Sequence, residues 1–192
     1  MRSKRMATRV GCSIVCVLAL MATSASPAQA SGDERHEHKS REQQKSALVK
    51  ALRESNARFH DVRVAEAEGY TLMFGCVSGG DFGAMGLHFV NPSLIGDDEV
   101  NPARPEIVIY EPLPNGRKRL IGADFLILKD VWDAKHASPP ELMGQLFHLF
   151  DAPNRFGLPP FYTLHVWAWK ESPTGTFVNW HANVSCDAFD PQ

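Results

Sequence analysis

The spacing of apolar residues changes at Gly69, and this change constrains the fold more than any other feature of the chain. Over residues 43–68, apolar side chains recur at spacings of three, four and seven between charged residues, at Leu48, Leu52, Phe59 and Val62. This periodicity predicts one long amphipathic helix. After Gly69, short runs rich in β-branched and aromatic residues predict strands. The sequence therefore indicates an α+β domain, with a long N-terminal helix packed on an antiparallel sheet of about five strands.

The predicted strands are separated by stretches rich in Gly, Pro and Asn, and they cover residues 70–76, 85–90, 106–111, 120–128 and 161–170. The third and fourth runs form a predicted hairpin. A second helix is predicted over residues 139–150, because Ser138 can cap its start and Pro140 suits the first turn.

The first 30 residues are typical of a secretory signal peptide. Four basic residues precede an apolar run over residues 10–21, and small residues stand at Ala28 and Ala30. The apolar run is about 12 residues long, well short of the ~20 that a membrane-spanning helix needs, so a membrane anchor is the weaker interpretation. We expect cleavage after Ala30, a periplasmic or secreted product, and no membrane span in the remaining chain.

Two regions are predicted to follow the leader. Residues 31–45 are charged and lack large apolar side chains, which favours a disordered tail, and residues 46–192 form a single globular domain. The tail contains His36 and His38, a pair that can bind a metal weakly, although a solvated tail is the simpler interpretation. Of 20 basic and 22 acidic residues, the leader removes four basic ones, which leaves a formal charge of −6. This charge provides no basic surface for nucleic acid.

The cysteine count also depends on the leader, which contains Cys12 and Cys16. Cys76 and Cys186 remain, and an oxidising compartment favours one disulfide between them. A metal site with two thiolates is the alternative. It is weaker because the two cysteines lack the close spacing of most zinc sites.

Two histidines lie within predicted strands. Alternation in the last strand places His165, Trp167 and Trp169 on one face. His88 points away from its neighbours Leu87 and Phe89. Burial beside aromatic rings favours neutral imidazoles, whose nitrogens then require hydrogen bonds or a metal.

Carboxylates and a third histidine complete a candidate metal site. Asp124 lies in an apolar run, Glu111 ends a predicted strand, and His148 has apolar neighbours. Two or three histidines with a carboxylate are typical ligands of zinc, copper or non-haem iron. We therefore predict His88, His165, Asp124, Glu111 and His148 as candidate metal ligands. For each histidine alone, a hydrogen-bonded core residue is the alternative, since the chain contains no closely spaced metal motif.

Other reaction motifs are absent from the sequence, which contains neither a nucleophile elbow nor a phosphate-binding glycine loop. The leading hypothesis is an exported protein that binds a metal ion or small ligand in a histidine and carboxylate pocket. A metal-dependent hydrolase or oxidoreductase is one alternative. The other is a structural or interaction protein of the cell envelope, in which the histidines lie far apart or each bond to the backbone.

Four sequence blocks suggest a relationship to other proteins. They are GCVSG (75–79), GAMGLHFVN (83–91), PEIVIYEP (105–112) and a segment from LHVWAWK (164–170) to VSC (184–186). Together they resemble a family of exported bacterial proteins of uncharacterised function, over most of residues 56–186. The resemblance implies no activity, although both remaining cysteines, His88, Glu111 and His165 fall within the blocks. His181 departs from the family pattern, where a proline is expected, so it is a poor candidate for a shared site.

Overall fold

The computed structural model describes residues 30–189, so the predicted signal peptide lies outside the described residues except for Ala30. The helices are α1 (Ala30–Asn56), α2 (Val62–Ala67) and α3 (Lys129–Asp133). The strands are β1 (Thr71–Ser78), β2 (Ala84–Val90), β3 (Ile107–Pro112), β4 (Lys118–Leu128), β5 (Glu141–Leu142), β6 (Gln145–Leu146), β7 (His148–Phe150) and β8 (Phe161–Val166). None of the helices in residues 30–189 combines the length and the apolar character needed to cross a bilayer.

The long N-terminal helix starts earlier and ends earlier than its periodicity predicts. Its first half takes in residues 31–45, for which composition predicts a disordered tail. Ion pairs one turn apart, Glu37 with Arg41 and Glu42 with Lys45, support helical backbone in this polar segment. The helix ends at Asn56, whose side-chain amide donates to the carbonyls of Leu52 (3.0 Å) and Pro102 (2.8 Å).

Six strands form one antiparallel sheet in the order β1-β2-β3-β4-β8-β7. The α+β class, the five expected strands and the hairpin of β3 with β4 are confirmed, and β7 adds a short sixth strand at one edge. The last predicted strand is too long, because β8 ends at Val166 and the Trp167 amide donates instead to the carbonyl of Thr176. Trp169 therefore does not continue the alternation but packs beside His60, with ring centroids 5.9 Å apart.

The predicted helix over residues 139–150 is wrong. This segment contains β5, β6 and β7. The connection between β5 and β6 is a two-residue turn, Met143-Gly144, in which both residues have positive φ (49° and 84°). Such a turn joins antiparallel strands, and it is incompatible with a continuous helix.

The sheet has two differently covered faces. On the helix face, Leu48 and Leu52 of α1 pack against Phe125, Leu164 and Val166. The other side, which we call the far face, carries an apolar cluster that includes residues from the loop before β8 and from the C-terminal segment: Val90, Ile107, Leu126, Phe156, Phe161 and Val184. The helix thus stabilises one face and leaves the far face free to form a pocket.

The predicted disulfide is confirmed, since Cys76 and Cys186 are bonded with their Cα atoms 5.7 Å apart. Cys76 lies in edge strand β1 and Cys186 in the C-terminal segment, 110 residues later. The bond therefore holds the last part of the described chain against the sheet.

Candidate functional site

Three of the predicted ligands, His88, Asp124 and His165, meet on the far face. They come from β2, β4 and β8, and Asp124 and His165 are paired directly across neighbouring strands. His88 is three strands away from His165 in the sheet order. In a flat sheet this separation would be about 14 Å, from a spacing of roughly 4.8 Å per strand. The two imidazole centroids are only 5.8 Å apart, so the sheet curls around this group.

The group is compact and buried. Each of its three residues is 3% exposed, and one potential ligand atom from each lies within 4.8 Å of the other two. The shortest measured approach joins Nδ1 of His165 to Oδ1 of Asp124, at 3.5 Å. The two histidines are therefore not far apart, whereas a wide separation is one of the two arrangements expected of a purely structural protein.

His165 has an unusual environment for a buried imidazole. Neither Nδ1 nor Nε2 has a hydrogen-bond partner among residues 30–189. The 3.5 Å approach to Asp124 is not a hydrogen bond. A buried polar atom without a partner costs about 1–3 kcal/mol. In a neutral imidazole one nitrogen carries a proton and the other a lone pair, so one nitrogen of His165 is available to bind a metal ion.

The other two side chains are held by neighbouring groups. Nδ1 of His88 donates to the carbonyl of Gly86 at 3.3 Å, which places the proton on Nδ1 and leaves the lone pair of Nε2 free. The hydroxyl of Thr163 donates to Oδ1 of Asp124. Thr163 thus fixes the carboxylate, while the Gly86 carbonyl fixes the first imidazole.

Burial shifts the protonation of all three groups. Desolvation, followed by the proximity of His165, lowers the pKa of His88 to about 4, and desolvation lowers the pKa of His165 to about 3. Desolvation raises the pKa of Asp124 to about 6, and the hydrogen bond from Thr163 opposes this shift. At neutral pH the imidazoles are therefore uncharged and the carboxylate is ionised. These are the forms that bind transition metals.

The spacing of the three ligand atoms is close to that around a bound ion. Zinc–nitrogen bonds of about 2.1 Å allow two ligands to be at most about 4.2 Å apart, and the present limit is 4.8 Å. Two histidines and one carboxylate would leave at least one coordination position open.

The remaining candidate ligands lie outside this group. Glu111 pairs with Arg119 and with Lys170, whose Nζ is 2.6 Å from Oε1 of Glu111. His148 is exposed on β7, opposite Thr163 in the register. His38 is exposed on α1, and the side chain of His36 lies outside the described part of the chain.

A mainly apolar pocket leads to the group. It has room for about one water-sized molecule, a volume of about 20 Å³, and the larger volume of about 330 Å³ includes open solvent at its mouth. Its walls are Phe74, Met85, Ile107, Leu126, Phe150, Phe156, Leu158 and Phe161, with Thr163 beside the three central residues. Strand alternation could have identified Thr163, two residues before His165. The loop residues Phe156 and Leu158 follow no period that would identify them.

No protein-family model, curated protein or solved structure matches the chain. The composition and geometry of the buried group are therefore the basis for a functional assignment. The group contains two neutral imidazoles and one carboxylate, and a pocket opens from it to the surface.

Proposed function

We propose that the protein binds one transition-metal ion through His88, Asp124 and His165. The observation that carries the proposal is the state of His165, which is buried beside a carboxylate and a second imidazole while both of its nitrogens lack partners. A metal ion would supply a partner for one of these nitrogens and bring the three side chains together. The hydrogen bond from His88 to Gly86 supports the same role, because metal-binding histidines usually donate their second nitrogen to a fixed acceptor.

The ligand set favours zinc, copper or iron over magnesium or calcium, which prefer oxygen ligands. The pocket supports a second candidate function, because it gives a small molecule access to the open coordination position. A metal-dependent hydrolase or oxidoreductase would require such access.

We also propose that the protein works outside the cytoplasm. The charged and apolar pattern of residues 1–30 supports export, and the Cys76–Cys186 disulfide is compatible with an oxidising compartment.

The metal proposal is tested by elemental analysis of the purified protein after equilibration with zinc, iron or copper and removal of free ion. We expect about one ion per chain in the wild type and less than a tenth of that in His88→Ala and His165→Ala. Losing one of three ligands removes most of the affinity, because two remaining ligands seldom hold an ion in water.

His136→Ala is the matched control, since His136 is exposed and stacks on Trp132 outside the group. This variant should keep the full metal content. Circular dichroism checks that all variants are folded. A wild type that takes up none of the three metals, or folded variants that retain them, would refute the proposal.

A further inference from the structure

A bulge in β2 places Met85 in the pocket beside the buried group. Gly86 and Ala84 both have partners on β1, whereas Met85 between them has none. Regular alternation would place Met85 on the same face as Leu87, away from His88. Met85 instead lines the same pocket as His88, and it is 1% exposed. Bulges often re-aim a side chain next to a functional site.

Met85 adds a soft ligand atom to the pocket. Among the described residues that line the pocket, it is the only one outside the buried group whose side chain has an atom that commonly binds transition metals. Its thioether sulfur favours soft ions such as Cu(I), and imidazole also binds copper. Zinc sites, in contrast, are built from Cys, His and carboxylate ligands. The combination of two imidazoles and a thioether therefore favours copper.

The pocket leaves little space for water around an ion. It has room for about one water-sized molecule, and its walls are otherwise aliphatic and aromatic. Zinc and iron(II) usually keep water or substrate at the positions that three protein ligands leave open. Cu(I) held by protein ligands alone needs no such water, so it suits this small apolar space.

The charge of the pocket also favours a monovalent ion. The imidazoles bind a metal in their neutral form and the carboxylate in its ionised form, so the buried group contributes one negative charge. No other side chain in the described lining is acidic or basic. A divalent ion would leave one unmatched positive charge beside side chains that are 3% exposed, and burial of an unmatched charge is costly. Cu(I) and the carboxylate together are neutral.

We propose that the buried group binds copper as Cu(I), with the thioether sulfur of Met85 as an additional ligand. This inference rests on the proposed function, because it names the ion and a further ligand of the same site. His88 and His165 provide nitrogen ligands, and Asp124 provides the matching charge. Met85 provides the sulfur that distinguishes copper from zinc.

The affinity for Cu(I) is measured without oxygen by competition with bicinchoninate, and the affinity for Zn(II) by competition with a zinc indicator. All proteins are full chains with Cys12→Ser and Cys16→Ser, because these two cysteines lie outside the disulfide and free thiols would bind Cu(I). We expect Met85→Leu to weaken Cu(I) binding at least tenfold and to keep Zn(II) binding within threefold. Leucine is close to methionine in volume and lacks sulfur, so this variant should fold.

Met143→Leu is the matched control, since Met143 is 41% exposed and lies outside the pocket lining. Its Cu(I) affinity should stay within twofold of the wild type. X-ray absorption of the Cu(I)-loaded wild type should show a sulfur ligand on copper, and Met85→Leu should lose it. Circular dichroism checks that the variants are folded, and the X-ray absorption of the wild type decides the question if Met85→Leu does not fold.

The zinc measurement separates this inference from the metal proposal. A Cu(I)-loaded wild type without a sulfur ligand on copper would overturn the inference. A folded Met85→Leu variant that keeps its Cu(I) affinity, or that loses Zn(II) affinity equally, would also overturn it. If either result occurs in a protein that binds zinc, only the assignment of copper and Met85 fails. If the wild type binds neither ion, both proposals fail.

Discussion

Glu106 is a buried carboxyl group that does not line the pocket. It is 2% exposed, and its Oε2 accepts a hydrogen bond from the Leu126 amide at 3.0 Å. Burial raises the pKa of Glu106 from 4.5 to about 8, and the backbone hydrogen bonds oppose this rise. The folded protein therefore holds this proton more tightly than the unfolded chain does. Its contribution to stability is complete below about pH 4.5 and is lost as the pH rises to about 8.

We predict that Glu106→Gln removes this pH dependence. Glutamine keeps an acceptor for the Leu126 amide and cannot ionise, so the variant should gain stability relative to the wild type as the pH rises. The difference in unfolding free energy should grow by about 2 kcal/mol or more between pH 5 and pH 8. Urea denaturation of both proteins across this range measures it. A constant difference would contradict the prediction.

Among individual residues, the sequence predicted the three members of the buried group better than the residues around them. His88, Asp124 and His165 are polar residues within apolar strand runs, so alternation alone marks them as unusual. Glu111 is likewise a polar residue at an apolar strand, but it forms ion pairs with Arg119 and Lys170. No local sequence signal distinguishes a carboxylate in ion pairs from one in the buried group. The sequence did not predict Phe74 as a pocket residue, because its position depends on a bulge in the pairing of β1 with β2.

Strand β2 has an unusual backbone conformation at Gly86. Its φ is 88°, and a Cβ atom there would lie 2.6 Å from the carbonyl oxygen of Tyr110 on β3. The carbonyl of Gly86 also accepts the hydrogen bond of His88. The close approach of β2 to β3 and the orientation of the imidazole thus depend on one glycine.

We predict that Gly86→Ala lowers the unfolding free energy by about 3 kcal/mol or more, from backbone strain plus the steric clash. Gly116→Ala is the control, since Gly116 also has positive φ (71°) but nothing within 4 Å of the added Cβ. It should lose only about 1–2 kcal/mol. Chemical denaturation compares the two variants, and equal losses would show that the contact with Tyr110 is unimportant.

The elements differ in how far the sequence determines them. The helix and the five main strands were predictable because each carries a long apolar pattern. The segment of β5 to β7 was not, because two- and three-residue strands are too short to show a period and Pro140 resembles a helix start. The sheet between β2 and β8 also contains a register shift at Ile109 and Tyr110 of β3, which hydrophobic patterning does not reveal.

For the whole molecule, the Cys76–Cys186 bond closes a loop of 110 residues and joins β1 to the C-terminal segment. We predict that the Cys76→Ser/Cys186→Ser double variant loses up to about 4–5 kcal/mol of unfolding free energy, mainly because its unfolded chain has more conformational entropy. Denaturation of the double variant and of the wild type under reducing conditions should give the same midpoint. A double variant as stable as the oxidised wild type would contradict the prediction.

The curl that brings β2 next to β8 has a thermodynamic consequence. A metal ion bound by His88, Asp124 and His165 would connect β2 to β4 and β8, which are not its neighbours in the sheet, and it would bind only when the sheet has its folded curvature. Folding and metal loading would then be linked by mass action, with about 1.4 kcal/mol of added stability for each tenfold excess of free metal over the dissociation constant. The concentration of free metal in its compartment would thereby add to the stability of the folded protein.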